Sequence, residues 1–330
     1  MRESGVLLAI DAGGSHTRAV VVSADAECLG YGASTGGNAT AVGADRALAA
    51  LTEAASAALT SAAIRPDDVR RVVLAAAGEE YLLDGRAVAR ALAVPAAEYT
   101  RAPDILAMYH SAAVEPAGVA LVAGTGAIAG RFRDLVIERT VDGTGWLLGD
   151  RGSGFWIGRK VARAVAADLN GAGEPTDLTR LVIEELGLGP TEGDRSQRLR
   201  ALVSWVYDGQ PVRLARLAPL AFRAEAADDT AAAITAEAEE ALAGTLRLVR
   251  DGHDELPVVL GGSVVVKGLF GPGRSSGGAL TRELAVADVR IAHDGVAGAA
   301  IVGLLRGRAV VDRDTLARLT RSIEELRGRA

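Results

Sequence analysis

A glycine–hydroxyl turn at the end of a hydrophobic strand occurs twice in this chain, and it restricts the fold more than anything else in the sequence. LLAIDAGGSHTRAVVV carries Asp11, Gly13, Gly14, Ser15 and Thr17, and VALVAGTGAIAGRF carries Gly124, Thr125 and Gly126. Each reads as strand, tight turn, second strand, because the residues after each turn lack helical spacing. Glycine-rich turns present bare backbone N–H groups, and neighbouring hydroxyls add donors, so such turns suit phosphate. Two of them about one domain apart predict two related halves that grip one anionic ligand from both sides. LPVVLGGSVV (256–265) reads as a buried strand entering a third such turn, Gly261-Gly262-Ser263. A single turn of this kind is ordinary; three together point to a nucleotide.

Two familiar phosphate motifs are excluded. GTGAIA (124–129) fits the dinucleotide fingerprint G-x-G-x-x-A, but that motif must open a helix, whereas GRFRDLVIERTVDG reads as strands. No G-K-S/T sequence exists for a P-loop.

The surrounding pattern predicts an α/β chain. Strands are expected over 6–11, 18–23 and 27–33, a helix over 43–62, a strand over 70–78, a short helix over 84–93 and a helix from Asp104. A second three-strand meander starts at Val119, so "three strands, then alternating elements" begins twice, as in a degenerate repeat. Residues 152–250 are largely helical. They end in DDTAAAITAEAEEALAGTLRLVRD (228–251), whose acidic start and basic end complement the helix dipole. A surface loop at 274–278, a strand at 289–292, a small-residue helix at 296–305 and an amphipathic helix over 315–327 complete the chain.

A length of 330 residues predicts two domains. With 49% hydrophobic but only 4% aromatic residues, the cores must be built from Ala, Val and Leu. A net charge of −6 with no basic run argues against a nucleic-acid partner. The single cysteine, Cys28, excludes an internal disulfide and fits a reducing cytoplasm. No apolar run reaches the ~18 residues needed to span a membrane, and the start lacks a signal-peptide pattern. His16, His110, His253 and His293 show no metal-ligand spacing.

The motif order DAGGSHT, GTG, GWLLGDRGSGFWIG (Gly145–Gly158) and GGS resembles the N-acetylglucosamine kinase and BadF/BadG-type ATPase family, from about residue 6 to about 303. The Gly145–Gly158 block is its most specific part, and the Ala- and Arg-rich sequence looks like the actinobacterial glucosamine kinases of that family. The resemblance implies a two-domain actin-like ATPase (ribonuclease H-like) α/β fold, with mixed five-stranded sheets and a central cleft. The expected domains are 1–117, 118–303 and a C-terminal helix at 304–330, which either packs back on the first domain or meets a second subunit in a homodimer. The implied reaction uses ATP and Mg²⁺ to phosphorylate the C6 hydroxyl of an amino sugar, glucosamine first and N-acetylglucosamine second.

The same resemblance assigns roles. Asp11 would organise Mg²⁺ through water, since a hard cation needs few protein ligands. Gly13, Gly14, Ser15 and Thr17 would line the β- and γ-phosphates, Thr125 and Gly126 would close the second hairpin, and Gly261, Gly262 and Ser263 would lie near the adenosine. Asn38, Asp104, Gly145, Trp146 and Asp150 would meet the sugar, with Asp104 also the catalytic base. By itself Asp104 equally suits the N-cap of DILAMYHS, and Asn38 a turn. Arg151 departs from the mammalian-type pattern, in which an acidic residue follows the aspartate. A dehydratase-activating ATPase of similar fold would need four thiolates for its cluster, and one cysteine per chain gives a dimer two. A sugar sensor without catalysis is a further rival, which the set Asp11, Asp104 and Asp150 argues against.

Overall fold

In the computed structural model, residues 5–14, 16–76, 84–94, 97–189, 194–271 and 277–329 are described. Ser15, residues 77–78 and residues 274–276 of the expected loop lie outside them.

The chain opens as an antiparallel meander, β1 (Val6–Ala12), β2 (His16–Val22) and β3 (Cys28–Thr35). There follow α1 (Ala39–Val42), α2 (Ala44–Ala62), β4 (Val69–Ala76), α3 (Gly85–Ala91), β5 (Glu98–Pro103) and α4 (Asp104–His110). β4 pairs parallel with β1 and β5 parallel with β4, which gives a mixed five-stranded sheet of order β3-β2-β1-β4-β5. β1 lies at its centre with both faces covered, so its sequence is an apolar run rather than an alternation. Leu8 and Ile10 point with Val21, Val72 and Leu74 into a core completed by Leu51, Ala55 and Leu59 of α2. α2 lies directly on β3, where a Cβ on Gly30 or Gly32 would overlap the carbonyls of Ala58 and Ala54.

The second meander is β6 (Ala117–Ala123), β7 (Ala127–Arg133) and β8 (Val136–Asp142). A helical stretch follows: α5 (Gly154–Asn170), α6 (Asp177–Leu186), α7 (Arg195–Tyr207), α8 (Ala218–Ala224) and α9 (Asp229–Arg250). β9 (Val258–Gly261) gives way to a π-helical turn at Val264–Leu269, so Val264 and Val265 leave the expected strand. α10 (Ala279–Leu284), β10 (Val289–Ile291), α11 (Gly295–Arg306) and α12 (Arg313–Arg327) end the chain. The second sheet has the order β10-β9-β6-β7-β8. Read from its other edge, it repeats the first sheet strand for strand, with β6 in the place of β1.

Two compact units result. One comprises Met1–Ala120, Phe132–Ile137 and Arg290–Ala330, and the other Leu121–Arg131 and Glu138–Val289. The expected boundary at 303 is therefore displaced: α11 and α12 both belong to the first unit. α11 packs on β1, β4 and α4. Its small residues allow this, since a side chain at Gly298 would overlap the Ala107 carbonyl of α4 and one at Gly303 would press on Leu7. α12 lies along β3 and buries Leu316, Leu319 and Ile323. Among the described residues, no helix is long and apolar enough to cross a membrane.

Candidate functional site

In the first unit, the β1–β2 register sets Asp11 opposite Arg18, and their charged groups come within 4.0 Å. Gly13 closes the turn by donating its N–H to the His16 carbonyl (3.0 Å). The Gly13 carbonyl accepts the N–H groups of Gly37 and Asn38, at 3.1 and 3.2 Å. Asn38 is thus fixed beside the first glycine turn, while Gly14 stays exposed at its tip. Thr17 takes an inward place instead of lining a ligand surface. It is fully buried, and its hydroxyl donates to the Thr35 carbonyl at 2.8 Å, bracing the strand that leads to Gly37.

Asp104 is the first residue of α4, where β5 ends. The N-cap position belongs to Pro103, and no side chain caps the helix. The Asp104 carboxylate accepts the adjoining Ile105 N–H (2.8 Å), which is not the reach to the second or third helical N–H that defines an N-cap. Burial raises its carboxyl above the usual range, opposed by the Ile105 N–H and by Arg101. Burial likewise pushes the Asp11 carboxyl up to about 7, reinforced by the charges of Asp294 and Asp104 and opposed by Arg18. Asp11, Asp104 and Asp294 thus form one acidic neighbourhood.

A buried carboxylate crowded by two others is a destabilised anion that a divalent cation would relieve. Among the described residues, no group of three or more His, Cys, Asp or Glu forms a cage for a metal ion. A lone crowded carboxylate such as Asp11 fits a hard, hydrated cation such as Mg²⁺, which keeps several waters and needs few protein ligands.

The second unit holds the other two turns. Gly124 donates its N–H to the Gly126 carbonyl (2.9 Å) between β6 and β7. The first N–H groups of α5, from Gly154 and Phe155, donate to the carbonyls of Gly124 and Thr125, at 2.7 and 3.1 Å. Ser153 caps the helix by accepting the Trp156 N–H. Asp150 sits beneath the turn in a left-handed conformation (φ 56°), and its carboxylate accepts the Ala127 N–H at 3.3 Å. Burial raises the Asp150 carboxyl, an effect that Ala127 opposes and Asp142 reinforces. Asp142 accepts the N–H groups of Asp150 (2.6 Å) and Arg151 (3.0 Å), fixing the GDRG loop. Gly145 has φ 82°, and Trp146 is half-exposed with its ring 5.2 Å from Phe155.

Gly262, at φ 84°, crosses the end of β6 so closely that a Cβ would overlap the Ala123 carbonyl. This brings Ser263 and Thr125 to the wall of one cavity of about 420 Å³, which Ala218, Phe222, Arg223 and Lys267 also line. An apolar pocket with one aromatic ring and two cations, opening beside a glycine turn, suits a base attached to phosphates.

The structure thus groups Asp11, Gly13, Asn38 and Asp104 in the first unit, and Thr125, Gly126, Gly145, Trp146, Asp150, Gly261, Gly262 and Ser263 in the second. Sequence reasoning missed Arg18, Asp142, Asp294, Phe222, Arg223 and Lys267. Asp294 did carry a signal: an acidic residue before GVAGAA reads as an N-cap, and its carboxylate accepts the Val296 N–H at 3.2 Å.

N-acetyl-D-glucosamine kinase of Dictyostelium discoideum is 29% identical over 286 residues, 80% of this chain and 87% of that protein. A putative N-acetylglucosamine kinase of Chromobacterium violaceum shares the fold at a TM-score of 0.68 and 23% identity, covering 92% of this chain and 99% of the other. A glucokinase of the ROK family from Streptomyces griseus, solved with glucose and AMPPNP, matches at a TM-score of 0.53 and 16% identity over 91% and 99% of the two chains. The BadF/BadG/BcrA/BcrD ATPase family model spans residues 8–303, and the chain belongs to that family.

Proposed function

We propose that this protein is an ATP-dependent hexosamine kinase, which transfers the γ-phosphoryl group to the C6 hydroxyl of glucosamine. The observation that carries the reading is the Asp11–Asp104 neighbourhood beside a glycine turn, in a chain of an ATPase family. In this reading Asp104 accepts the proton of the sugar hydroxyl as its oxygen bonds to the γ-phosphorus. The bond from that phosphorus to the β–γ bridging oxygen breaks, and ADP leaves. The raised Asp104 carboxyl makes it a better proton acceptor than an ordinary surface aspartate. Bound Mg²⁺ would neutralise charge on the phosphates, with Asp11 holding its water shell. In the first unit the exposed Gly14 N–H, and in the second the Gly126 N–H with the Thr125 hydroxyl, are donors suited to phosphate oxygens. The cavity lined by Phe222 and Ser263 takes the adenosine, and each unit offers its own groups for the sugar, Asn38 in the first and Trp146 and Asp150 in the second.

N-acetylglucosamine is the second reading for the acceptor, favoured by the name of the Dictyostelium relative, an N-acetyl-D-glucosamine kinase. Arg151, directly after Asp150, adds no negative charge that would prefer an ammonium over an acetamide. ADP release measured with each sugar at saturating Mg·ATP decides between them: the true acceptor gives the higher kcat/KM, and no stimulation by either refutes the kinase reading.

A further inference from the structure

Asp11 faces a line of alternating charges that reaches the last turn of the C-terminal helix. Arg18 Nη1 lies 4.0 Å from Asp11 Oδ2 and 3.6 Å from Asp294 Oδ1, so one guanidinium nitrogen serves both carboxylates. Asp294 Oδ2 in turn accepts a hydrogen bond from Arg327 Nη1 at 3.1 Å. The link is built into the fold. Asp294 is held as the N-cap of α11, the next residue, Gly295, lies against Asp11, and the buried Tyr31 hydrogen-bonds to Arg18. All four charged residues belong to the first unit.

We propose that Arg327 is a positioning residue for nucleotide binding, acting through Asp294 and Arg18 on Asp11. The inference rests on the reading of Asp11 as the carboxylate that organises the Mg·nucleotide. Asp11 and Asp294 place two negative charges around Arg18, an excess that would repel a triphosphate and draw Arg18 to Asp294. Arg327 supplies the second cation. It cancels Asp294 and leaves Arg18 free to balance Asp11. The C-terminal helix thereby sets the charge of a site to which it contributes no contacting group.

The test is a double-mutant cycle read by calorimetric binding of a non-hydrolysable Mg·ATP analogue, alongside steady-state kinetics. Arg327→Gln is expected to weaken analogue binding and raise KM for ATP about fivefold, the scale of a partly exposed ion pair. Sugar KM and kcat should stay near wild type, and Arg327→Lys should restore most of the loss. In an Asp294→Asn background, which keeps the cap acceptor but removes the charge, Arg327→Gln should change binding by less than twofold. Unaltered binding in Arg327→Gln, or an equal loss in both backgrounds, overturns the proposal. Asp11→Asn separates it from its foundation. If that variant loses binding while Arg327→Gln does not, only the role of Arg327 fails; if Asp11→Asn binds and turns over normally, the reading of Asp11 fails and the proposal with it.

Discussion

At the scale of single residues, Asp104 and Asp11 are both carboxylates near the ends of strands in the first sheet, with different surroundings. Asp104 is raised by burial with the Ile105 N–H and Arg101 opposing, while Asp11 is raised by burial and by two neighbouring anions. A base needs a carboxyl that holds a proton briefly, and a metal-organising group needs one that gains from a cation. Asp104→Asn is expected to lower kcat by about 100-fold or more while sugar binding, read by calorimetry, largely survives. Near-normal turnover in that variant contradicts the assignment of the base. Thr17 illustrates the opposite outcome: its place beside the turn suggested a phosphate ligand, but its hydroxyl is spent on the Thr35 carbonyl. Nothing in DAGGSHT distinguishes an outward hydroxyl from an inward one, because the pleat decides which way each strand residue points.

At the scale of elements, the cavity proposed for the nucleotide depends on three segments meeting: the Gly124–Gly126 turn, α8 and the π-helical turn after β9. The two turns were legible because glycine and hydroxyl residues at strand ends carry a local signal. α8 was not, since APLAFRA reads as an ordinary apolar helix, and the assignment of Phe222 and Arg223 to a cavity wall follows only from tertiary packing. Gly268 marks this packing, because a Cβ there would lie 2.7 Å from the Phe222 ring. Phe222→Ala should raise KM for ATP about tenfold, the loss of one aromatic contact, and leave sugar KM unchanged. An equal rise in both constants would show that Phe222 supports the fold and not the base. Asp142 acts at the same scale: it accepts two N–H groups of the GDRG loop and so holds Asp150 in its left-handed conformation.

At the scale of the whole molecule, a degenerate repeat was readable from two three-strand meanders, and the structure adds that the two sheets share one strand order. The packing back of residues 304–330 was one of two expectations, but the return of residues 290–303 to the first unit was not readable. α11 is buried over nearly its whole circumference, so its periodicity names no preferred partner. Its neighbours are chosen instead by the glycines that let it approach α4 and β1. Glu115 helps to fix this return: its carboxylate receives Arg290 at 2.8 Å and Arg313 at 2.9 Å. The hydrogen bond from Arg290 is the chief cause that pulls its carboxyl down from 4.5 to about 2, with burial opposing and Arg313 assisting. A depressed folded-state value means that the contribution is present above pH 4.5 and is lost as pH falls towards 2. Glu115→Gln should therefore lower the melting temperature at pH 7, and its difference from wild type should shrink as pH falls from 4.5 towards 2. A difference that is independent of pH would remove the ion-pair explanation.

The central claim is phosphoryl transfer to an amino sugar, and ADP release from Mg·ATP tests it most directly. The panel is glucosamine, N-acetylglucosamine, glucose and mannosamine, each with the wild-type protein and with Asp104→Asn. The account predicts strong stimulation by a hexosamine, glucosamine first, and its near-abolition by Asp104→Asn. ADP release that no sugar stimulates, or stimulation that Asp104→Asn leaves intact, would contradict it.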